Sequence, residues 1–287
     1  MIPPTTKGSA ALHLLVLLKF LGSNGNEASI SKLGHFFGLS KGGFLLHLER
    51  MVVILLKRKE EALFWPGPDE WKEISERIER KYGFPNCVGL IDGTLLPLEG
   101  KPNQNGEDYF CRKGCYSVNA LITCDDAARV RDVVIGWPGS VHDNQVWTTS
   151  HLYANQMALF RKKEYLLGDS AFQPSNVMIP AFKKPCGAAV LQSNEFFNTQ
   201  LAKPWVISHY CIGILKGRFQ YLKWMCVHIS KSEDMSKIID YFNCACILHN
   251  WLIDDPIPPQ WIEPPLDEDD AWDDRVVPNE HDQACLF

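Results

Sequence analysis

Cys87-Val88-Gly89-Leu90-Ile91-Asp92-Gly93-Thr94 is a short apolar run that stops at an acid beside a glycine, and its reading decides the middle of the chain. A run this short, bounded by turn-forming residues, is a buried strand rather than a helix. Working outward, Tyr116 to Cys124 and Val130 to Trp137 are rich in β-branched and aromatic residues, which suit a pleated, half-buried surface. Tyr165-Leu166-Leu167 is another short run, stopped by Gly168-Asp169. Four strand candidates followed by helical segments predict a mixed α/β core.

The flanks have a helical rhythm. Leu12, Leu15, Val16 and Lys19 recur at helical spacing, and Gly22-Ser23-Asn24-Gly25-Asn26 supplies a turn. A second helix runs from a Ser29 cap through Ile30, Leu33 and Phe37; Gly38-Leu39-Ser40 breaks it, and Phe44, Leu45, Leu48 and Met51 mark a third. This is helix-turn-helix punctuation, in which the third helix presents Lys41, His47 and Arg50 toward a partner such as the DNA major groove. A plain three-helix packing module gives the same pattern. Pro68 to Tyr82 is amphipathic, with Trp71, Ile74 and Ile78 on one side. After Pro185 helices are predicted over Phe196 to Ala202, Tyr210 to Met225 and Met235 to Ile253. Asp254 to Phe287, full of prolines and acids, reads as a disordered tail. The expected organisation is a helical region over 1–64, an α/β domain over 65–253 and an acidic tail over 254–287.

With 287 residues, 46% of them hydrophobic, the chain can fill a sizeable core. The longest apolar run, Ala10 to Leu21, is broken by His13 and Lys19 and falls short of the roughly 20 residues that span a bilayer, so no membrane role is expected. Ten scattered cysteines without a C-x-x-C pair point to reduced thiols in the cytoplasm or nucleus. The pairs Cys111/Cys115 and Cys244/Cys246 read as packing more readily than as metal ligands. The net charge of -5 is uneven: from Asp254 onward the balance is -10, which leaves residues 1–253 at +5. That surplus permits contact with phosphates without demonstrating it.

Asp92 and Asp169 each follow a strand candidate and neighbour a glycine. Two carboxylates brought together repel unless a cation lies between them, which is why such pairs bind Mg²⁺ or Mn²⁺. Paired metals about 3.5 to 4 Å apart activate a water and stabilise a leaving oxygen in phosphodiester cleavage. Singly, each Asp reads equally as a turn residue. Asp143, in Gly139-Ser140-Val141-His142-Asp143-Asn144, suits an Asx turn or a helix cap.

Taken in order, Gly89-Leu90-Ile91-Asp92-Gly93-Thr94, Gly139 to Asn144, Gly168-Asp169-Ser170-Ala171-Phe172, Gly213-Ile214-Leu215-Lys216-Gly217-Arg218-Phe219 and Leu248-His249-Asn250 resemble the DDE endonuclease domain of PIF/Harbinger-type transposase-derived nucleases. The resemblance covers about Trp65 to Ile253. It implies a ribonuclease H-like mixed sheet flanked by helices and preceded by a small helix-turn-helix-like region. It also implies catalytic, metal-holding roles for Asp92 and Asp169, a supporting role for Asp143, and a basic pair, Lys216 and Arg218, for DNA phosphates. Lys41 and Arg50 are the corresponding candidates in the N-terminal helices. The implied cofactor is Mg²⁺ or Mn²⁺, and the implied partners are double-stranded DNA and a Myb-like DNA-binding protein. A nuclear location rests on the resemblance alone, because the chain has no run of five Lys or Arg; without a partner it would stay in the cytoplasm.

One position departs from the pattern. Relatives carry a Glu four residues ahead of the Gly of Gly-Ile-Leu-Lys-Gly-Arg-Phe; here that residue is His209, and Trp205 and Ile207 stand where relatives show arginines. Mg²⁺ prefers oxygen ligands, and imidazole also brings one negative charge fewer. The expectation is weakened metal binding and reduced cleavage, with Glu195 and Asp234 as the acids that could stand in. The alternative is a catalytically inactive, domesticated transposase remnant that binds DNA or protein.

Overall fold

The computed structural model describes residues 7–183, 191–256 and 258. Among the described residues, helices lie on both sides of the strands in the chain. The N-terminal region holds α1 (Lys7–Leu21), α2 (Ile30–Phe36), α3 (Lys41–Leu56) and α4 (Lys59–Ala62), followed by α5 (Pro68–Tyr82). Ser40 starts α3 with its side chain, which accepts a hydrogen bond from the Gly43 amide. Pro68 opens α5 and Gly83 closes it at a φ of 79°, a left-handed turn that glycine adopts without strain. As its spacing predicts, α5 buries Trp71, Ile74 and Ile78.

The middle of the chain forms β1 (Cys87–Pro97), β2 (Ser117–Cys124), β3 (Val130–Pro138), three short helices α6 (Asp143–Thr148), α7 (His151–Ala154) and α8 (Gln156–Leu159), then β4 (Tyr165–Gly168) and β5 (Met178–Pro180). They make one five-stranded sheet in the order β3-β2-β1-β4-β5, antiparallel from β1 to β3 and parallel from β1 to β5. The parallel crossover through α6–α8 puts β4 against β1, so residues far apart in sequence become neighbours. Two long helices, α9 (Gln192–Arg218) and α10 (Ser232–Trp251), complete the domain, α9 packing on β1 and β2 and α10 on β3 and α3. The mixed α/β, ribonuclease H-like class predicted from the sequence is the fold observed. One continuous core joins Phe44 and Leu48 of α3 to the strands and to Phe242 and Ile247 of α10.

Several expectations are corrected. β1 does not stop at Ile91; it continues through Asp92 and Gly93 to Pro97, because Thr94-Leu95-Leu96 keeps pairing with β2. The fifth strand, only three residues long, carries too little pattern to be read. The two helices expected over 196–202 and 210–225 are one helix with Pro204 inside it, ending at Arg218 and followed by a 3-10 turn over Gln220–Lys223. A proline in a helix removes one backbone hydrogen bond, and here Leu201, Pro204, Ser208 and Cys211 are buried along the same stretch. His47 is only partly exposed: its Nδ1 meets Nδ1 of the buried His13 on α1. The acidic tail, apart from its first few residues, lies outside the described residues. Among the described residues no helix is long and apolar enough to cross a membrane.

Candidate active site

β1 and β4 run parallel with Leu90 beside Leu167, so Asp92 within β1 and Asp169, the first residue beyond β4, lie toward the same end of the sheet. The two carboxyls are near enough for the Asp169 charge to act on Asp92, although 77 positions separate them in sequence. Asp92 sits inside a central strand that cannot move aside. Asp169 leaves the end of β4, where its Oδ1 accepts the Ala171 amide at 2.9 Å. Asp92 Oδ1 accepts the Gly93 amide at 2.8 Å.

The electrostatics follow from this proximity. Burial pushes the Asp92 carboxyl well above the usual carboxylate range; the charges of Asp169 and Asp143 push it further, and Lys216 partly opposes them. Burial also raises Asp169, with Asp143 adding to the effect and Arg112 and Lys183 working against it. Each acid therefore resists ionising next to the others.

His209 projects from α9 toward the same place. Its Nε2 lies 3.3 Å from Asp92 Oδ2, yet the angle does not make a hydrogen bond, and Nε2 is buried without a partner. The distance alone would describe an ion pair, but burial lowers the imidazole pKa, so the ring is neutral at neutral pH and the contact is an approach rather than a salt bridge. Trp205 holds this turn of the helix, donating its indole N–H to the Ile91 carbonyl at 3.4 Å while its ring centroid stands 4.1 Å from that of His209. Glu195 and Asp234 do not replace the missing acid. Glu195 is exposed in the first turn of α9, about 21 Å along the helix from His209, and Asp234 caps α10 by accepting the Ser230 and Lys231 amides.

Asp143 begins α6, and its carboxylate is gripped from two sides. Asn119 on β2, only 2% exposed, donates to Asp143 Oδ1 and to the Val141 carbonyl, both at 2.8 Å. On the other side lies Gly93, where an added Cβ would meet Asp143 Oδ2 at 2.4 Å. The glycine beside Asp92 is thus required by a close approach and not by a turn. Gly93 pairs with Leu121 and Asp92 with Ile122, so successive residues point to opposite faces and Asp143 presses on the far side of β1 from Asp92. Among the described residues no three His, Cys, Asp or Glu side chains converge on one point that could hold a metal ion.

The basic candidates fall in different places. Lys216 turns inward, its Nζ donating to the Leu95 carbonyl at 2.8 Å near Asp92. Arg218 donates to the Asp255 carbonyl at 2.9 Å. Lys41 and Arg50 are nine residues apart on α3, about half a turn out of phase, so they share no face. The outward side of α3 instead exposes Leu46, Val53 and Ile54. Sequence reasoning missed Asn119, Arg112 and Lys183; the latter two are exposed cations in loops without periodicity, and only the fold brings their charges to Asp169. A small, mostly apolar cavity lined by Ser170, Phe172, Met178, Pro180, Phe182 and Phe197 adjoins the site but includes neither aspartate.

The last motif of the series lies elsewhere. His249 is fully buried, with Nε2 2.9 Å from the Ala128 carbonyl; Asn250 donates to the Ala62 and Val130 carbonyls at 2.8 and 2.7 Å and accepts the Val130 amide at 2.8 Å. These two residues join α10 to the β2–β3 turn and to α4.

Comparison with known proteins matches this arrangement. A family model described as DDE superfamily endonuclease matches residues 91–250, more than half of the chain. A mouse protein named "Putative nuclease HARBI1" is 24% identical over 93% of this chain and 77% of its own length. An Arabidopsis thaliana protein named ALP1-like is 26% identical over 94% of the chain and 64% of its own length. The bovine protein that shares the mouse protein's name is 26% identical over 59% of the chain, and the match spans about half (48%) of its length. No solved structure matches the chain. With Asp92 on the central strand, Asp169 just beyond its parallel neighbour and the family model spanning both, the chain belongs to the DDE superfamily endonucleases.

Proposed function

We propose that the chain is a transposase-derived DNA endonuclease that holds a divalent cation between Asp92 and Asp169 and cuts slowly because His209 occupies the place of the third acid. The observation that carries the reading is that the parallel pairing of β1 with β4 brings these two aspartates toward one end of the sheet, each raised in pKa by burial and by neighbouring carboxylates. Mg²⁺ is commonly held by one or two carboxylates with substrate phosphate and water completing its shell, so two aspartates fit it without a third protein ligand. When bound, such a cation would neutralise phosphate charge and lower the pKa of a water. Asp92, fixed in the sheet, would set its position, and Asp169 at a strand end would adapt to it.

Asp143, held by Asn119, would tune the negative potential from the far side of β1. Lys216, Arg112 and Lys183 would meet the phosphates of double-stranded DNA. A neutral imidazole beside Asp92 adds no charge for a second cation. A Myb-like partner and a nuclear location belong to the same reading. A second reading is an inactive remnant that binds DNA or protein; the exposed Leu46, Val53 and Ile54 on α3 favour its protein-binding form.

Cleavage of supercoiled plasmid in Mg²⁺ and Mn²⁺ tests this. The natural chain should nick slowly, Asp169→Asn should abolish nicking, and His209→Glu should raise the rate about tenfold or more, the equivalent of about 1.4 kcal/mol. A natural chain as fast as His209→Glu would refute the damaging role of His209. Salt-dependent DNA binding with no cleavage by either protein would favour the second reading.

A further inference from the structure

The segment between β1 and β2 turns back on itself just before β2. Phe110 and Tyr116 form an antiparallel bridge with their rings 5.4 Å apart. Inside it the Cys111 amide donates to the Cys115 carbonyl at 2.9 Å and the Gly114 amide to the Cys111 carbonyl at 3.0 Å, with Gly114 at a φ of 73°. The result is a tight hairpin with a cysteine at each foot and the two sulfurs 3.5 Å apart. Arg112 and Lys113, both exposed, form its tip, and the Arg112 charge reaches Asp169.

The two thiols differ. Cys111 is 3% exposed and Cys115 is half-buried. Burial alone would raise the Cys111 thiol, but the Ser117 hydroxyl and the groups of Lys113 and Cys115 bring it below its ordinary value, whereas burial and Cys111 push Cys115 up to about 12. Ser117 Oγ is itself buried and makes no full hydrogen bond, so its dipole is free to turn toward a Cys111 thiolate. A sulfur so poised beside a resolving thiol is the arrangement of a redox pair.

We propose that Cys111 and Cys115 are a peroxide-sensitive dithiol that closes to a reversible disulfide and fixes the hairpin holding Arg112 beside the acidic site. The Cys111 thiolate attacks one oxygen of a peroxide, the O–O bond breaks, and after proton uptake Cys111 is a sulfenic acid and water or an alcohol has left. The Cys115 sulfur then attacks that sulfenic sulfur, the S–O bond breaks, and the oxygen leaves as water with the Cys115 proton. Two electrons pass from the sulfurs to the peroxide. The low exposure of Cys111 restricts the oxidant to a molecule as small as a peroxide. The bond does not depend on the nuclease reading, whereas its effect on DNA does.

The full chain, reduced and then treated with hydrogen peroxide, would be alkylated and digested with trypsin. Trypsin cuts after Arg112 and Lys113, so the two cysteines part unless they are joined. The expected product is a linked peptide pair that dithiothreitol splits and that Cys115→Ser eliminates. Recovery of both cysteines alkylated at doses that oxidise the half-buried Cys226, or a Cys111 linked to any other cysteine, would overturn the pairing. Duplex DNA affinity should change several-fold on oxidation, and the change should vanish in Cys115→Ser and shrink in Arg112→Gln. A disulfide that forms and leaves DNA affinity unchanged would overturn the coupling to the site. If the chain binds no DNA in either state the nuclease reading fails, and peptide mapping still decides the bond.

Discussion

Two regions built from motif residues behave in opposite ways. At the acidic end of β1 and β4, Asp92, Asp169 and His209 are left wanting: like charges face each other and the His209 Nε2 has no partner. Where α10 meets the β2–β3 turn, buried groups are almost fully paired. Asp125 accepts the Ala127 and Arg129 amides at 2.9 and 3.0 Å and the Arg131 Nε at 2.8 Å, Arg131 also reaches Glu70 at 2.5 Å, and Asn250 makes three hydrogen bonds. The contrast teaches that the motifs divide into groups whose polar atoms are satisfied within the fold and groups whose polar atoms are not. Substitutions should therefore sort by region, costing stability at the α10 junction and sparing it at the acids.

The largest expected loss is at the junction. Asp125→Ala leaves Arg131, 6% exposed, with only the partly exposed Glu70 as a counter-charge, and should cost about 3–5 kcal/mol in urea unfolding at neutral pH. Asn250→Ala follows, because it strands the Val130 amide and two carbonyls in the core; about 2–3 kcal/mol is expected by the same measurement. If either variant unfolds like the natural chain, the junction is not the structural half of the comparison.

How much of this was legible follows from the kind of signal each element carries. Helix α5 could be read because Trp71, Ile74 and Ile78 repeat at its period, and the three long strands because short apolar runs or β-branched and aromatic residues dominate them. β5 and the true extent of β1 could not, since three residues have no period and an acid-glycine pair resembles a turn. Asp92 and Asp169 were visible as acids after strand candidates, but their approach at one end of the sheet follows from the parallel pairing of β1 with β4, which no local pattern encodes. Asn119 was hidden for the same reason: one polar residue in a buried strand looks like noise until Asp143 arrives from another element. His47 misled because its helical spacing fitted an exposed face equally well.

A smaller effect sharpens the boundary between the regions. Gly93→Ala would drive a methyl into the Asp143 carboxylate and should cost about 1–3 kcal/mol. Asp143→Ala removes the obstruction, so the double variant should recover most of that loss in a double-mutant cycle. Strictly additive losses would mean that the two side chains do not touch, and would remove Asp143 from the neighbourhood of Asp92.

At the end of the scale the sign reverses. The folded-state pKa of Asp92 lies above its unfolded value, so at higher pH the carboxyl loses its proton more readily in the unfolded chain, and ionisation favours unfolding. Its destabilising effect is complete above the folded pKa and fades as pH falls from there toward the ordinary carboxylate range. Asp92→Asn should therefore be more stable than the natural chain at neutral pH in chelator, with the gap closing on acidification. Mn²⁺ should close it from the other direction, by stabilising the natural chain and leaving Asp92→Asn unmoved. A natural chain that gains nothing on removal of this charge would place Asp92 with the satisfied residues of the junction, and the division between the two regions would fail at the residue that defines it.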